Sequence, residues 1–210
     1  PEGTWCEYSI DGEWTERTAG GCFNFPSWRN NPQYEIVIGK DTNAFFLLMQ
    51  PDPRMDKIRS IEKGGPEGGP IYDHKIGMYV MKGHELYRRK IMYDSEEIEG
   101  DDVLDSTPYI EYREVQCNTM DEEGEDRLKE GTRVVLCPST FLPNKLGKFR
   151  IIVLTESALS QPPILLPPLR DLRCSGLWGA ETAGGCRNFV SWRKNVQYQL
   201  KLSKPSRVSV

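Results

Sequence analysis

Short apolar runs separated by polar, turn-forming residues dominate the pattern along this chain. Residues 34–38, 44–50, 75–81, 86–92, 109–115, 132–137 and 149–155 are rich in β-branched and aromatic side chains. Gly, Pro, Asn and Asp bound them, which is the signature of strands. Tyr109-Ile110-Glu111-Tyr112-Arg113 alternates apolar and polar, as suits an antiparallel strand with one wet face, whereas 44–49 reads as buried on both faces. A further strand near 4–8 brings the count to eight, and no stretch sustains a helical period. The expected fold is all-β: an eight-stranded antiparallel sandwich.

One stretch is written twice. Gly12 to Tyr34 reappears as Gly176 to Tyr198 at a constant offset of 164, without gaps. The shared positions include Trp14/Trp178, Ala19-Gly20-Gly21-Cys22/Ala183-Gly184-Gly185-Cys186, Asn24-Phe25/Asn188-Phe189, Ser27-Trp28-Arg29/Ser191-Trp192-Arg193, Asn31/Asn195 and Gln33-Tyr34/Gln197-Tyr198. A single long period means two domain copies in tandem. The expected organisation is a sandwich at 1–157, a linker at 158–173 carrying two Pro-Pro pairs, and the truncated N-terminal part of a second copy at 174–210, too short to bury its own core. On this reading the sequence is a fragment of a longer protein.

The net charge of −4 conceals an asymmetry. Residues 94–126 carry fourteen acids against Arg113, a local −13, which leaves +9 on the remainder. Asp94, Glu96, Glu97, Glu99, Asp101, Asp102 and Asp105 form the main acidic run, with Asp121, Glu122, Glu123, Glu125 and Asp126 beyond it. Carboxylates on loops at one end of a sandwich could gather oxygens for Ca²⁺, which takes six to eight. The spacing is not that of an EF-hand, and a solvated or partner-facing acidic loop is the competing reading. The basic counterpart is Lys82, Arg88, Arg89 and Lys90 with His84, set against anionic lipid or ordinary solvation. An acidic chain whose aromatics lie in the repeated motif does not suit nucleic acid.

Six cysteines lack the close pairs of zinc sites and are too sparse for a secreted disulfide scaffold, so reduced thiols are expected. A nucleophilic Cys22 would need a base, but the two histidines, His74 and His84, are distant in sequence and have no counterpart near Cys186. No catalytic residue is assigned, and no metal site is assigned firmly. No apolar run approaches a membrane span and the N-terminus lacks the order of a signal peptide, so a cytoplasmic location is the expectation.

Four landmarks in sequence order carry a family likeness: Gly12-x-Trp14 with Thr18-Ala19-Gly20-Gly21-Cys22-x-Asn24; Asn31-Pro32-Gln33-Tyr34; Phe45 to Gln50 followed by Lys75-Ile76-Gly77-Met78-Tyr79-Val80; and Val134 to Phe141 closed by Gly147-Lys148-Phe149-Arg150-Ile151. On these the chain resembles the C2-like β-sandwich, domain III, that follows the protease core of calpains. The duplicated motif resembles the tandem arrangement of PalB-type members, and Ser27-Trp28-Arg29-Asn30 stands where conventional members carry Thr-Phe-Trp. The resemblance implies a non-catalytic regulatory segment that packs on its own protease core outside these residues, with the acidic run from Asp94 to Asp105 as an electrostatic latch. The alternative it implies is a recruitment module for Ca²⁺, anionic membrane or a protein partner. No cofactor is expected, with Ca²⁺ the one exception.

Overall fold

The computed structural model describes residues 5–54, 58, 61–62, 72, 74–85, 88–90, 102–120, 127–170, 172, 174–205 and 208. The chain divides into two compact units, Pro1–Leu169 and Arg170–Val210.

The first unit is an antiparallel β-sandwich. Its named strands are β1 (Cys6–Trp14), β2 (Tyr34–Ile38), β3 (Ala44–Met49), β4 (Ile76–Lys82), β5 (Val103–Ser106), β6 (Glu114–Asn118), β7 (Arg133–Thr140), β8 (Gly147–Thr155) and β9 (Leu159–Leu165). One sheet has the order β1-β8-β3-β6 and the other β5-β4-β7-β2-β9. Alternation aims one face of every strand inward. Ile10 and Trp14 of β1, Phe46 and Leu48 of β3, Ile76, Met78 and Val80 of β4, Val134 and Leu136 of β7, and Phe149, Ile151 and Val153 of β8 meet in a single core.

The five-stranded sheet is buried on its outer face as well. Met81, Val135 and Cys137 form a second cluster there with Trp28 and Leu166, and Phe23, Tyr79 and Val103 pack against it. This is why Val134 to Cys137 reads as an unbroken apolar run: each of these residues lies against one core or the other.

Among the described residues several strands differ in place from the expected ones, for local reasons. Leu159–Leu165, taken from sequence as the start of the linker, is the edge strand β9, paired with β2 across register shifts. Its Pro162 and Pro163 are tolerated because an edge strand pairs on one side only. Val103–Ser106, hidden in the acidic run, is β5 and pairs with β4. The expected strand at 109–115 shortens to Glu114–Asn118, because residues 107–113 cross from one sheet to the other. On the way Ile110 bridges Ile76 and the Tyr109 hydroxyl bonds the Ser139 hydroxyl at 2.6 Å. Of the expected strand at 86–92, Arg88, Arg89 and Lys90 are described and are not strand; the rest lies outside the described residues.

The second unit is Arg170–Val210. Its named element is a short 3-10 helix, Val190–Lys194, and most of its large apolar side chains are exposed, among them Leu177, Trp178, Phe189 and Val190.

Candidate functional site

Strand register separates the sandwich into two chemically different ends. The pairings Cys6↔Thr155, Ala44↔Thr155, Phe45↔Asn118, Ile38↔Leu159 and Lys82↔Val134 bring the 38–44, 82–103, 118–133 and 155–159 connections to one end. Both acidic connections therefore leave from that end. The repeated motif, residues 14–34, lies at the opposite end with the 140–147 turn.

At the acidic end Asp41, Asp102, Asp105 and Glu156 are already engaged. Asp102 accepts from Lys90 Nζ at 2.7 Å, and its backbone carbonyl accepts the Lys82 amide. Asp105 accepts the amides of Ser106 at 2.7 Å and Asn118 at 2.9 Å. Asp41 takes the Glu130 amide and Lys129 Nζ, and Glu156 faces Arg127 and Asn43. Among the described residues no three His, Cys, Asp or Glu side chains gather into a metal-holding group. These carboxylates do not make the cage of six to eight oxygens that Ca²⁺ requires. Asp94, Glu96, Glu97, Glu99 and Asp101 lie outside the described residues.

The basic residues behave as a strap. Arg88 makes two bonds to Glu35, which has no solvent exposure, and Arg133 adds a third at 3.1 Å. Arg89 donates to the carbonyls of Arg29 at 2.9 Å, Asn31 at 2.6 Å and Pro167 at 3.3 Å. Burial lowers its guanidinium below the ordinary arginine value. Lys90 is buried, and besides its Asp102 pair its backbone exchanges two bonds with the Gln33 side chain, at 2.7 and 2.9 Å. Three consecutive residues thus tie the acidic connection to β2, the repeated motif and the exit from β9. Of the four basic residues named from sequence, Lys82 is exposed, while Arg88, Arg89 and Lys90 face the protein's own carbonyls and carboxylates.

The repeated motif builds a corner. Asn31 accepts the Gly20 amide at 3.0 Å and donates to the Gly21 carbonyl at 2.8 Å, while the Ser27 hydroxyl donates to the Gly20 carbonyl at 2.7 Å. Gly21 sits at φ 78°, and a Cβ on Gly20 would lie 2.1 Å from the Ser27 carbonyl oxygen, so both positions require glycine. A 3-10 helix, Pro26–Asn30, carries Trp28 into the outer cluster.

Residues 176–198, where the motif recurs, repeat this corner bond for bond. Asn195 accepts the Gly184 amide at 2.8 Å and donates to the Gly185 carbonyl at 2.7 Å, and the Ser191 hydroxyl donates to the Gly184 carbonyl at 2.9 Å. Gly185 has φ 77°, and a Cβ on Gly184 would meet the Ser191 carbonyl at 2.1 Å.

The thiols are spread over different environments. Cys22, Cys117 and Cys137 are buried and Cys174 and Cys186 exposed, all of them free. Burial pushes the Cys117 and Cys137 thiols well up, away from the thiolate form a nucleophile needs. His74 donates through Nε2 to the Leu146 carbonyl at 2.8 Å.

Sequence reasoning missed Glu35 as a site residue. On strand alternation it belongs to a wet face, as it falls between Tyr34 and Ile36. The available signal was the unbroken apolar run of β7, which already implied that something covers that face.

A family model for the calpain large subunit, domain III, matches residues 10–154. The chain is 28% identical over 205 residues to a putative calpain-like cysteine protease A of Dictyostelium discoideum, covering 96% of this chain and 26% of that protein. It is 24% identical over 204 residues to a serine/threonine-protein kinase 4 homolog B of the same organism, covering 96% and 16%. Calpain-10 of Macaca fascicularis is 23% identical over 212 residues, covering 89% and 31%. The chain thus spans less than a third of the length of each of these relatives.

Proposed function

This chain belongs to the calpain large-subunit domain III family, and on that premise we propose that it is a non-catalytic regulatory segment of a calpain-like cysteine endopeptidase, packing on and modulating a protease core outside these residues. The observation that carries the reading is the strap. Lys90 holds the base of the acidic connection through Asp102, while its neighbours Arg88 and Arg89 hold the buried Glu35 and the corner carbonyls. Charge changes in the acidic run therefore have a covalent and ionic route to the body of the sandwich. A contact face supports the packing: Phe45, Leu47, Met49, Ile152 and Leu154 line the outer side of the four-stranded sheet, only partly buried. The polar side chains of Glu7, Ser9, Gln116 and Asn118 flank them.

A second reading, recruitment of Ca²⁺, anionic lipid or a protein partner, is favoured by one observation. The relative named as a kinase homolog aligns with 96% of this chain, which suits a module that serves catalytic domains of more than one kind. Calcium binding would have to draw on Asp94 to Asp101. Among the described residues no helix is long and apolar enough to cross a membrane.

Neutralising Glu96, Glu97, Asp101 and Asp102 to Gln or Asn in the full-length protein separates the readings. The regulatory reading expects a several-fold change in proteolytic rate with vesicle binding unchanged. Loss of vesicle or calcium binding with an unchanged rate would transfer the function to recruitment.

A further inference from the structure

Three short pieces of chain, distant in sequence, cover the outer face of the five-stranded sheet. Trp28 of the corner helix and Leu166 at the exit from β9 are buried against Met81 of β4 and Val135 and Cys137 of β7. The third piece is the strap, and its middle residue joins the other two. Arg89 Nη1 donates to the carbonyls of Leu166 at 3.5 Å and Pro167 at 3.3 Å, while Nη2 donates to those of Arg29 at 2.9 Å and Asn31 at 2.6 Å. A planar fork of donors can hold both pieces at once, which a point charge cannot. Cys137 has no exposure; burial raises its thiol, and Arg89 and Lys90 are near enough to pull against that rise.

This cover is held less firmly than the core between the sheets. Strand β9 pairs on one side only, its ladder with β2 breaks register twice, and Leu159 is its one buried side chain. Pro162 and Pro163 have no amide to donate. Beneath the cover, among the described residues, the Arg89 Nε–H and the Trp28 indole N–H are buried without an acceptor. Burial also works against the charge on Arg89. Each of these groups regains water when the cover lifts. Local opening with the main core intact is therefore easier than unfolding.

One contact of the cover reaches solvent. Lys90 Nζ pairs with Asp102 at 2.7 Å, their side chains being 10% and 54% exposed. The Lys90 backbone grips the Gln33 side chain, and the Gln33 carbonyl accepts the Leu166 amide at 2.8 Å. Asp102, Lys90, Gln33 and Leu166 thus form an unbroken chain of bonds from the surface to the buried edge of the cover, with Arg89 adjoining Lys90.

We propose that the strap, the corner helix and the β9 exit form a releasable cover over Met81, Val135 and Cys137, pinned by Arg89 and released from the solvent side through the Lys90–Asp102 pair. Opening leaves the core between the sheets in place and bares an apolar strip on β4 and β7. The inference stands on the strap alone and holds whether or not a protease core lies beyond these residues.

Alkylation of the 210-residue chain by iodoacetamide, mapped by peptide mass, tests it at two buried thiols: Cys137 under the cover and Cys117 of β6 in the core between the sheets. Arg89→Met, which removes the fork and keeps an apolar stem, is expected to speed labelling of Cys137 about tenfold with Cys117 unchanged. Asp102→Asn, at an exposed position, is expected to speed Cys137 alone by a few-fold. About 1 M NaCl, which screens exposed charge, should speed Cys137 labelling in the unsubstituted chain and add little in Asp102→Asn. The proposal is overturned if Cys137 is unmoved in both variants, if Cys117 is labelled in step with Cys137, which marks global unfolding, or if salt acts equally on Asp102→Asn and the unsubstituted chain.

Discussion

Trp14 is fully buried and Trp178 is 77% exposed, although the loops behind them repeat the same three side-chain hydrogen bonds to within 0.2 Å. The difference separates two contributions that are usually merged. A glycine pair, an asparagine and a serine suffice to fix the corner's backbone, because every one of those bonds closes within twelve residues. Burial comes from elsewhere, from a hairpin more than a hundred residues away at the first corner. Local and long-range preferences agree there, which is the mark of a well-specified fold; at 176–198 only the local half is on display.

The largest expected effect tests that division directly. Trp14→Ala removes a side chain with no exposure and its bond to Pro138, and large aromatic truncations of this kind cost about 3–5 kcal/mol. Trp178→Ala removes an exposed ring and should stay within about 0.5 kcal/mol. Urea unfolding followed by circular dichroism reads both. Comparable losses from the two substitutions would mean that the second indole is buried in solution.

Next in size is the glycine whose Cβ has no room. Gly20→Ala places a methyl 2.1 Å from a backbone oxygen, and overpacking of this sort costs roughly 1–3 kcal/mol of global stability. Gly184→Ala meets the same obstacle in its own loop. There the expected result is faster amide exchange across 184–195 with the urea midpoint unmoved. A shift in the midpoint would show that the two units unfold together.

How much of this was legible in the sequence depends on which bonds are local. β2, β3, β4, β7 and β8 were readable as short β-branched and aromatic runs, because composition is a property of adjacent residues; the two-sided burial expected for 44–49 is not met, since Phe45, Leu47 and Met49 on the outer side of the four-stranded sheet are only partly buried. β9 was not readable, because Pro162 and Pro163 argue against a strand until its edge position is known, and position in a sheet is a long-range fact. Arg88 to Lys90 had the composition of a strand but spend their hydrogen bonds on the side chains of Gln33, Glu35 and Asp102 and on the carbonyls of Arg29 and Asn31. Such a pattern has no period to detect. The acidic run was visible as charge, yet its engagement with Lys90 follows only from the fold.

The strap sharpens the comparison further, since it reaches the first corner through Arg29 and Asn31. Glu35→Gln keeps the shape and removes the charge to which Arg88 and Arg133 bond. Hydrogen bonds to charged groups are worth about 1.5–3 kcal/mol, and because both arginines are partly exposed the lower end, about 1.5 kcal/mol, is expected. Exchange should quicken in 26–31 and not in 190–195. Equal change at both corners would detach the strap from the first one.

Acid should have the smallest effect, and it should be confined to the first unit. The Arg150 side chain, bonding Asp11 across the β1–β8 pair, holds that carboxyl below its ordinary value of 3.8. Arg54 holds Asp52 at about 2, and the Glu130 amide followed by Lys129 lowers Asp41. A folded-state pKa below the unfolded one gives stability that is present above the unfolded value and lost as pH falls through the folded value. The loss therefore falls between pH 4 and pH 2, and these groups are open to solvent, so it should be a small decline in Tm that Asp11→Asn reduces. Where the motif recurs Ser175 stands at the position of Asp11, and the corner bonds join amides, carbonyls and hydroxyls, none of which titrates there. Exchange at 184–195, corrected for its intrinsic pH dependence, should stay level across that window. A fall matching that of the first unit would mean that charge, rather than the glycine-asparagine network, holds the second corner together.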